Sequence, residues 1–136
     1  MTTHNIAITY PPKIEPVHQG VIRQTIRPNS EAKPKKVDDI ANLFTWTGKP
    51  YRSPWAWRRR EVIRQVVPMV ACDDHFLLCD QGSLPARLAF WDEPLADELA
   101  RLDGIVPATG PELRAVLLGY HPVIAAGGLG MQVIRW

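Results

Sequence analysis

The sequence predicts an α+β fold that is mostly β. Runs of alternating, β-branched residues recur through its first half, and the two clear helical stripes come late, near residues 94–102 and 111–118. Glycine and proline punctuate the segments between them. Strands followed by helices, rather than a strict alternation of the two, is the pattern of segregated α and β structure. A chain of 136 residues that is 46% hydrophobic suits one domain spanning 1–136.

The elements follow in order. Residues 6–10 form a β-type run stopped by Pro11 and Pro12, which lack backbone donors. Residues 13–19 read as a short turn or helical piece delivering the chain to Gly20, a residue free to reverse direction. From there Val21, Ile22, Thr25 and Ile26 favour a strand ending at Pro28. Period-2 alternation sets Arg23, Thr25 and Arg27 on one face, with Ile22, Gln24 and Ile26 on the other. Two guanidinium groups flanking a hydroxyl suit a phosphate, a carboxylate or a base edge. Residues 29–36 are a polar, lysine-bearing loop, Asp38 and Asp39 a turn, and residues 40–46 another strand. A long strand is expected over 61–70, continuing Arg59 and Arg60. Phe76 to Cys79 form a short strand closing a hairpin across Asp73 and Asp74, and residues 81–83 another turn. The helix at 94–102 ends at Gly104; the one at 111–118 starts from a Thr109 or Gly110 cap and stops at Gly119. Residues 125–130 read as a glycine turn before a last strand at 131–136.

The net charge of +2 is unevenly placed: residues 1–70 hold twelve Lys or Arg against five Asp or Glu, and residues 71–136 hold four against nine. A positive half points to an anionic partner, nucleic acid being the commonest. The same half carries four aromatic and five cationic residues between positions 46 and 60. Trp46, Lys49, Tyr51 and Arg52 have the chemistry to stack on unpaired bases and neutralise phosphates. Trp55 and Trp57 suit a core anchor or a contact for a protein partner. RNA, single-stranded nucleic acid or a nucleoside-like molecule is therefore the expected ligand.

Other classes receive less support. No apolar run approaches the roughly 18 residues of a membrane span, and the first residues lack the basic start and apolar core of a secretory signal, so cytoplasmic residence without a membrane partner is expected. Cys72 and Cys79 are too few for a disulfide framework. With His75 between them they lack the close cysteine pair and fourth ligand of a zinc site, although Asp73, Asp74 and Asp80 are near. Neither metal nor cofactor is expected.

Gly20, Thr25 and Arg27 stand at the spacing of the Gly-x-Lys-x-x-Thr-x-Arg signature, and here the chain resembles the ASCH domains, small PUA-like β-barrels. Later stretches resemble family landmarks in order: Val37-Asp38-Asp39 before Leu43-Phe44-Thr45-Trp46, Leu102-Asp103-Gly104 before Pro111-Glu112-Leu113-Arg114, and Val133-Ile134-Arg135-Trp136. The resemblance covers roughly residues 6–136 and implies a barrel of five or six strands carrying two short helices, in a small member of phage or prophage type within a bacterial or phage-infected host. The residues read above for RNA or nucleotide-like binding are Arg23, Thr25, Arg27, Trp46, Lys49, Tyr51 and Arg52. Some small ASCH proteins are amidohydrolases acting on N4-acetylcytidine through the motif lysine, the motif threonine and an acid before the later helix. Here the threonine is Thr25 and the acid Asp103, but the lysine position holds Ile22, which cannot move a proton. A phage protein-interaction module is the third reading.

Overall fold

The computed structural model describes residues 1–79 and 86–136, so the turn expected at 81–83 lies outside the described residues. In chain order the elements are β1 (Thr3–Ala7), α1 (Pro11–His18), β2 (Gln24–Pro28), β3 (Ile40–Trp46), β4 (Trp55–Val62), β5 (Gln65–Ala71), β6 (His75–Leu78), β7 (Arg87–Phe90), α2 (Pro94–Asp103), α3 (Gly110–Tyr120), α4 (Ile124–Gly127) and β8 (Leu129–Arg135). The fold is α+β and mostly sheet, as the alternation predicted.

The strands divide between two sheets. One has the order β1-β3-β4, with β1 parallel to β3 and β3 antiparallel to β4. The other is antiparallel throughout, in the order β2-β8-β5-β6-β7. The expected barrel of five or six strands with two short helices is thereby corrected: eight strands and four helices are present among the described residues, and the strands do not close into one barrel.

The division arises where the sequence reads as one long strand. Ile63 exchanges backbone hydrogen bonds with the Asp38–Asp39 turn beside β3, while Arg64 already donates to the carbonyl of Arg135 at the end of β8. Consecutive residues thus pair with different sheets, and the segment splits into β4 and β5. Alternation registers extended backbone but carries no information about which neighbour accepts its hydrogen bonds.

Strand β8 lies between β2 and β5 and serves both cores. Met131 and Val133 enter a cluster with Phe76, Trp91, Leu99 and Leu113. Ile134 and Trp136 enter a second with Ile8, Val17, Leu43 and Ile63. The alternate orientation of strand side chains lets one central strand close two hydrophobic layers.

Three local expectations change. The first strand spans 3–7 rather than 6–10, so Pro11 and Pro12 do not stop it but open α1, because the first helical positions need no intrahelical N–H. Gly119 does not stop α3, which runs on to Tyr120. Residues 124–127 form a short helix where a turn was expected. Gly20 does turn the chain after α1, at φ +77°, and a Cβ there would stand 2.9 Å from the Arg59 guanidinium. No helix among the described residues is long and apolar enough to cross a membrane.

Candidate functional site

Lys13 and Val17, one helical turn apart, form the buried face of α1. Val17 enters the core, so the lysine beside it is carried inward as well; it is only 4% exposed. Its Nζ lies 3.2 Å from Oδ2 of Asp103, itself 5% exposed. Asp103 is the last residue of α2, placed there because Gly104 adopts the left-handed conformation that ends the helix. Gln24 of β2 donates from Nε2 to Asp103 Oδ1 at 3.3 Å, and also to the carbonyl of Leu99.

Three residues further along β2, Arg27 donates from Nε to Thr25 Oγ1 at 3.1 Å and from a terminal nitrogen to the carbonyl of Ala7. Thr25 is 2% exposed. Lys13, Thr25, Arg27 and Asp103 line a single pocket of about 130 Å³, walled on its apolar sides by Ile105, Val116 and Tyr120.

Burial dominates the electrostatics. It pushes the Lys13 ammonium down and the Asp103 carboxyl up, while their mutual attraction opposes both movements. Burial also lowers Arg27, which Asp103 partly offsets. His121, on the same wall, is lowered first by burial and then by Arg27. Lysine and arginine side chains beside one carboxyl in a small space can polarise a carbonyl or hold a polar ring edge, and the close amine–carboxyl pair can pass a proton.

A wider groove of about 410 Å³ adjoins this pocket, and Arg27 and Pro28 line both. Its other walls include Asn5, Lys35, Phe44, Trp46, Tyr51 and Trp55. Trp55 stacks on Phe44 at 4.0 Å, and Trp46 stands edge-on to the same ring at 5.1 Å. Tyr51 is 90% exposed at φ 63°, an uncommon backbone conformation for a tyrosine, and its ring lies 5.2 Å from Trp46. A hydrogen-bonded turn holds it there: Gly48 N–H donates to Ser53 Oγ, and Ser53 donates to the carbonyl of Lys49. Lys35 is lowered by burial and then by its cationic neighbours Arg27 and Lys33, the sign of a concentrated positive field.

The site residues read from the sequence therefore separate. Thr25, Arg27 and Asp103 meet in the pocket, and Arg27, Trp46 and Tyr51 in the groove. Arg23 does not join them, which corrects the expectation of one Arg23/Thr25/Arg27 face: it precedes β2, donates to the carbonyl of Trp136 at 2.8 Å and lies 3.6 Å from Glu61. Lys49 and Arg52 are exposed on the turn and line neither cavity. Trp55 and Trp57 belong to β4 rather than to the loop, with Trp57 stacked on His18 at 4.7 Å. Ile22, at the motif's lysine position, packs against the second core.

Sequence reasoning missed Lys13 and Gln24, and read Lys35 with Lys33 and Lys36 as a solvated loop that could sit near a phosphate backbone. For Lys13 a signal existed: with the helix begun at Pro11, its four-residue spacing from Val17 places it on the inward stripe. Gln24 carries no comparable local signal. Comparison with protein-family models, with curated proteins and with solved structures found no match to this chain.

Proposed function

We propose that the protein binds RNA, or a nucleotide-like ligand, by placing one planar ring in the Lys13/Thr25/Asp103 pocket and the flanking groups along the adjoining groove. The observation that carries this reading is the shared wall: Arg27 and Pro28 join a small, largely apolar pocket holding Lys13, Thr25 and Asp103 to a groove that is both aromatic and cationic. A cavity of about 150 Å³ accommodates benzene, so a pocket of about 130 Å³ is on the scale of a single ring. Stacking on the exposed Tyr51 and charge from Lys35 and Arg27 supply the sequence-tolerant part of the affinity.

Fluorescence anisotropy with a short single-stranded RNA, alongside calorimetry with free cytidine and uridine, tests it. Binding of RNA or nucleoside that weakens at least about tenfold in Thr25→Val or Tyr51→Ala supports the reading, a change of about 1.4 kcal/mol. The reading fails if neither RNA nor nucleoside binds more tightly than about 0.1 mM near physiological salt, the range of non-specific association.

A second reading, hydrolysis of an N4-acylated cytidine, is favoured by one observation. Lys13 brings an amine from α1 to the pocket that holds Thr25 and Asp103, although the motif's own lysine position is Ile22. An amine held down by burial beside a carboxyl held up by burial suits proton transfer during amide cleavage. Release of cytidine from N4-acetylcytidine by the purified protein, abolished in both Lys13→Met and Thr25→Val variants that remain folded, would support it; no release by the wild-type chain would reject it.

A further inference from the structure

We infer that a second anion site, for a phosphate group, lies where residues 21–24 meet the end of α2 and the end of β8. Residues 25–28 line the pocket and groove already described, whereas Arg23 and Gln24 line a different cavity of about 270 Å³ with Arg101, Leu102, Arg135 and Trp136. Among the described residues its charged lining side chains are Arg23, Arg101 and Arg135 and no Asp or Glu side chain lines it, although Glu98, outside the lining, pairs with Arg101 and attracts Arg135. Val21, Ile22 and Leu102 provide apolar wall.

The arginines retain donors for a ligand. Arg135 is held by neutral acceptors, from Nε to Gln24 Oε1 and from a terminal nitrogen to Gln65 Oε1, each at 2.8 Å. Arg23 gives Nε to the main-chain oxygen of Trp136, and the acidic side chain beside it, Glu61 at 3.6 Å, also receives Arg59 at 2.7 Å. Arg101 pairs with Glu98. With five N–H donors on each guanidinium, none is saturated by these bonds. The side chains of Arg23 and Arg101 are 47% and 62% exposed, so a ligand reaches them from solvent. Trp136 adds a buried indole N–H with no acceptor among the described residues. Planar donor forks of this kind match the oxygen geometry of phosphate.

Gln24 connects the new site to the first. Its Oε1 accepts from Arg135, and its Nε2 donates to Asp103, the partner of Lys13. The phosphate comes either from a free phosphate ester or from a nucleic-acid backbone; the site itself does not depend on the function proposed above.

The test is an NMR titration of the folded protein with inorganic pyrophosphate, following the arginine Nε–Hε signals, repeated with a short single-stranded RNA. Saturable shifts of the Arg23, Arg101 and Arg135 signals are expected, with affinity reduced at least about tenfold in Arg23→Ala and in Arg101→Ala. These two exposed positions avoid disturbing the more buried Arg135. Absence of saturation by about 10 mM pyrophosphate, or unchanged affinity in both variants, overturns the proposal, since specific charge-assisted pairs give a measurable loss when removed. If RNA moves the same signals and its salt slope falls by about 0.7 in Arg101→Ala, the phosphate is that of a polymer backbone. If only pyrophosphate does so, it is that of a free ester. The pyrophosphate arm uses neither the Thr25 pocket nor the aromatic groove, so its failure leaves RNA or nucleoside binding to be judged separately.

Discussion

At the scale of single residues, the Lys13–Asp103 pair sets the character of the pocket. Removing one partner strands the other charge in a site with little water, and such losses run to about 3–5 kcal/mol. Lys13→Met should therefore lower the free energy of unfolding in urea by about that amount, whereas Lys13→Met combined with Asp103→Leu should regain most of it. Simple addition of the two single effects would show that the charges are not coupled. A different carboxyl titrates in acid. Asp39 accepts from His4 at 2.8 Å and from the backbone N–H groups of Thr2 and Lys36, and these bonds hold its carboxyl at about 2, below its ordinary value of 3.8. A depressed folded pKa stabilises the fold fully above the unfolded value and loses that stabilisation as pH falls through the folded one. Stability should thus decline between about pH 4 and pH 2, and Asp39→Asn should flatten that part of a curve of melting temperature against pH.

At the scale of elements, the pocket depends on how α2 and α3 are fixed to each other and to the second sheet. Gly110 opens α3, and its N–H donates to Asp97 Oδ1 of α2 at 2.8 Å. A Cβ at position 110 would stand 1.7 Å from the carbonyl oxygen of Trp91 and 2.5 Å from Ala96 Cβ. Neither neighbour is the end of a flexible side chain, so the helix itself would have to move. Gly110→Ala should destabilise the protein by more than about 3 kcal/mol, in the upper part of the range for single substitutions; an unfolding midpoint equal to that of wild type would disprove this tight seat. Thr109, whose Oγ1 accepts the N–H of Glu112, caps the same helix, and Thr109→Ala should cost about 1 kcal/mol.

At the scale of the whole molecule, the charge asymmetry becomes a surface argument. The basic first half of the sequence contributes Arg27 and Lys35 to the aromatic groove and exposes Lys49 and Arg52 on the neighbouring turn. Each phosphate contact on a single strand adds about 0.7 to the dependence of log affinity on log salt, so three to five contacts give a slope of about −2 to −3.5. Lys35→Ala should reduce the slope by about 0.7. Tyr51→Ala should leave it unchanged while weakening binding by about 1–3 kcal/mol. A slope insensitive to Lys35, measured by anisotropy over a salt series, would remove the groove from the path of the strand.

The sequence by itself determined where backbone is extended and where it is helical, because hydrophobic periodicity is a local property: the runs around β3, β5 and β8 and the stripes of α2 and α3 were legible for that reason. It also brought Thr25 and Arg27 together by alternation, with Arg23 wrongly beside them, while Asp103 was paired with Thr25 only by the family resemblance. Only the tertiary structure decided which sheet each strand joined, since the bonds of Ile63 to Asp39 and of Arg64 to Arg135 link segments far apart in sequence. It alone separated Arg23 from Thr25 and supplied Lys13 in a pocket that Ile22 does not enter. A charged side chain enters a core only when a partner from elsewhere offsets its desolvation. The partner of Lys13 is the terminal residue of a helix formed much later in the chain, and no local pattern around Lys13 encodes it.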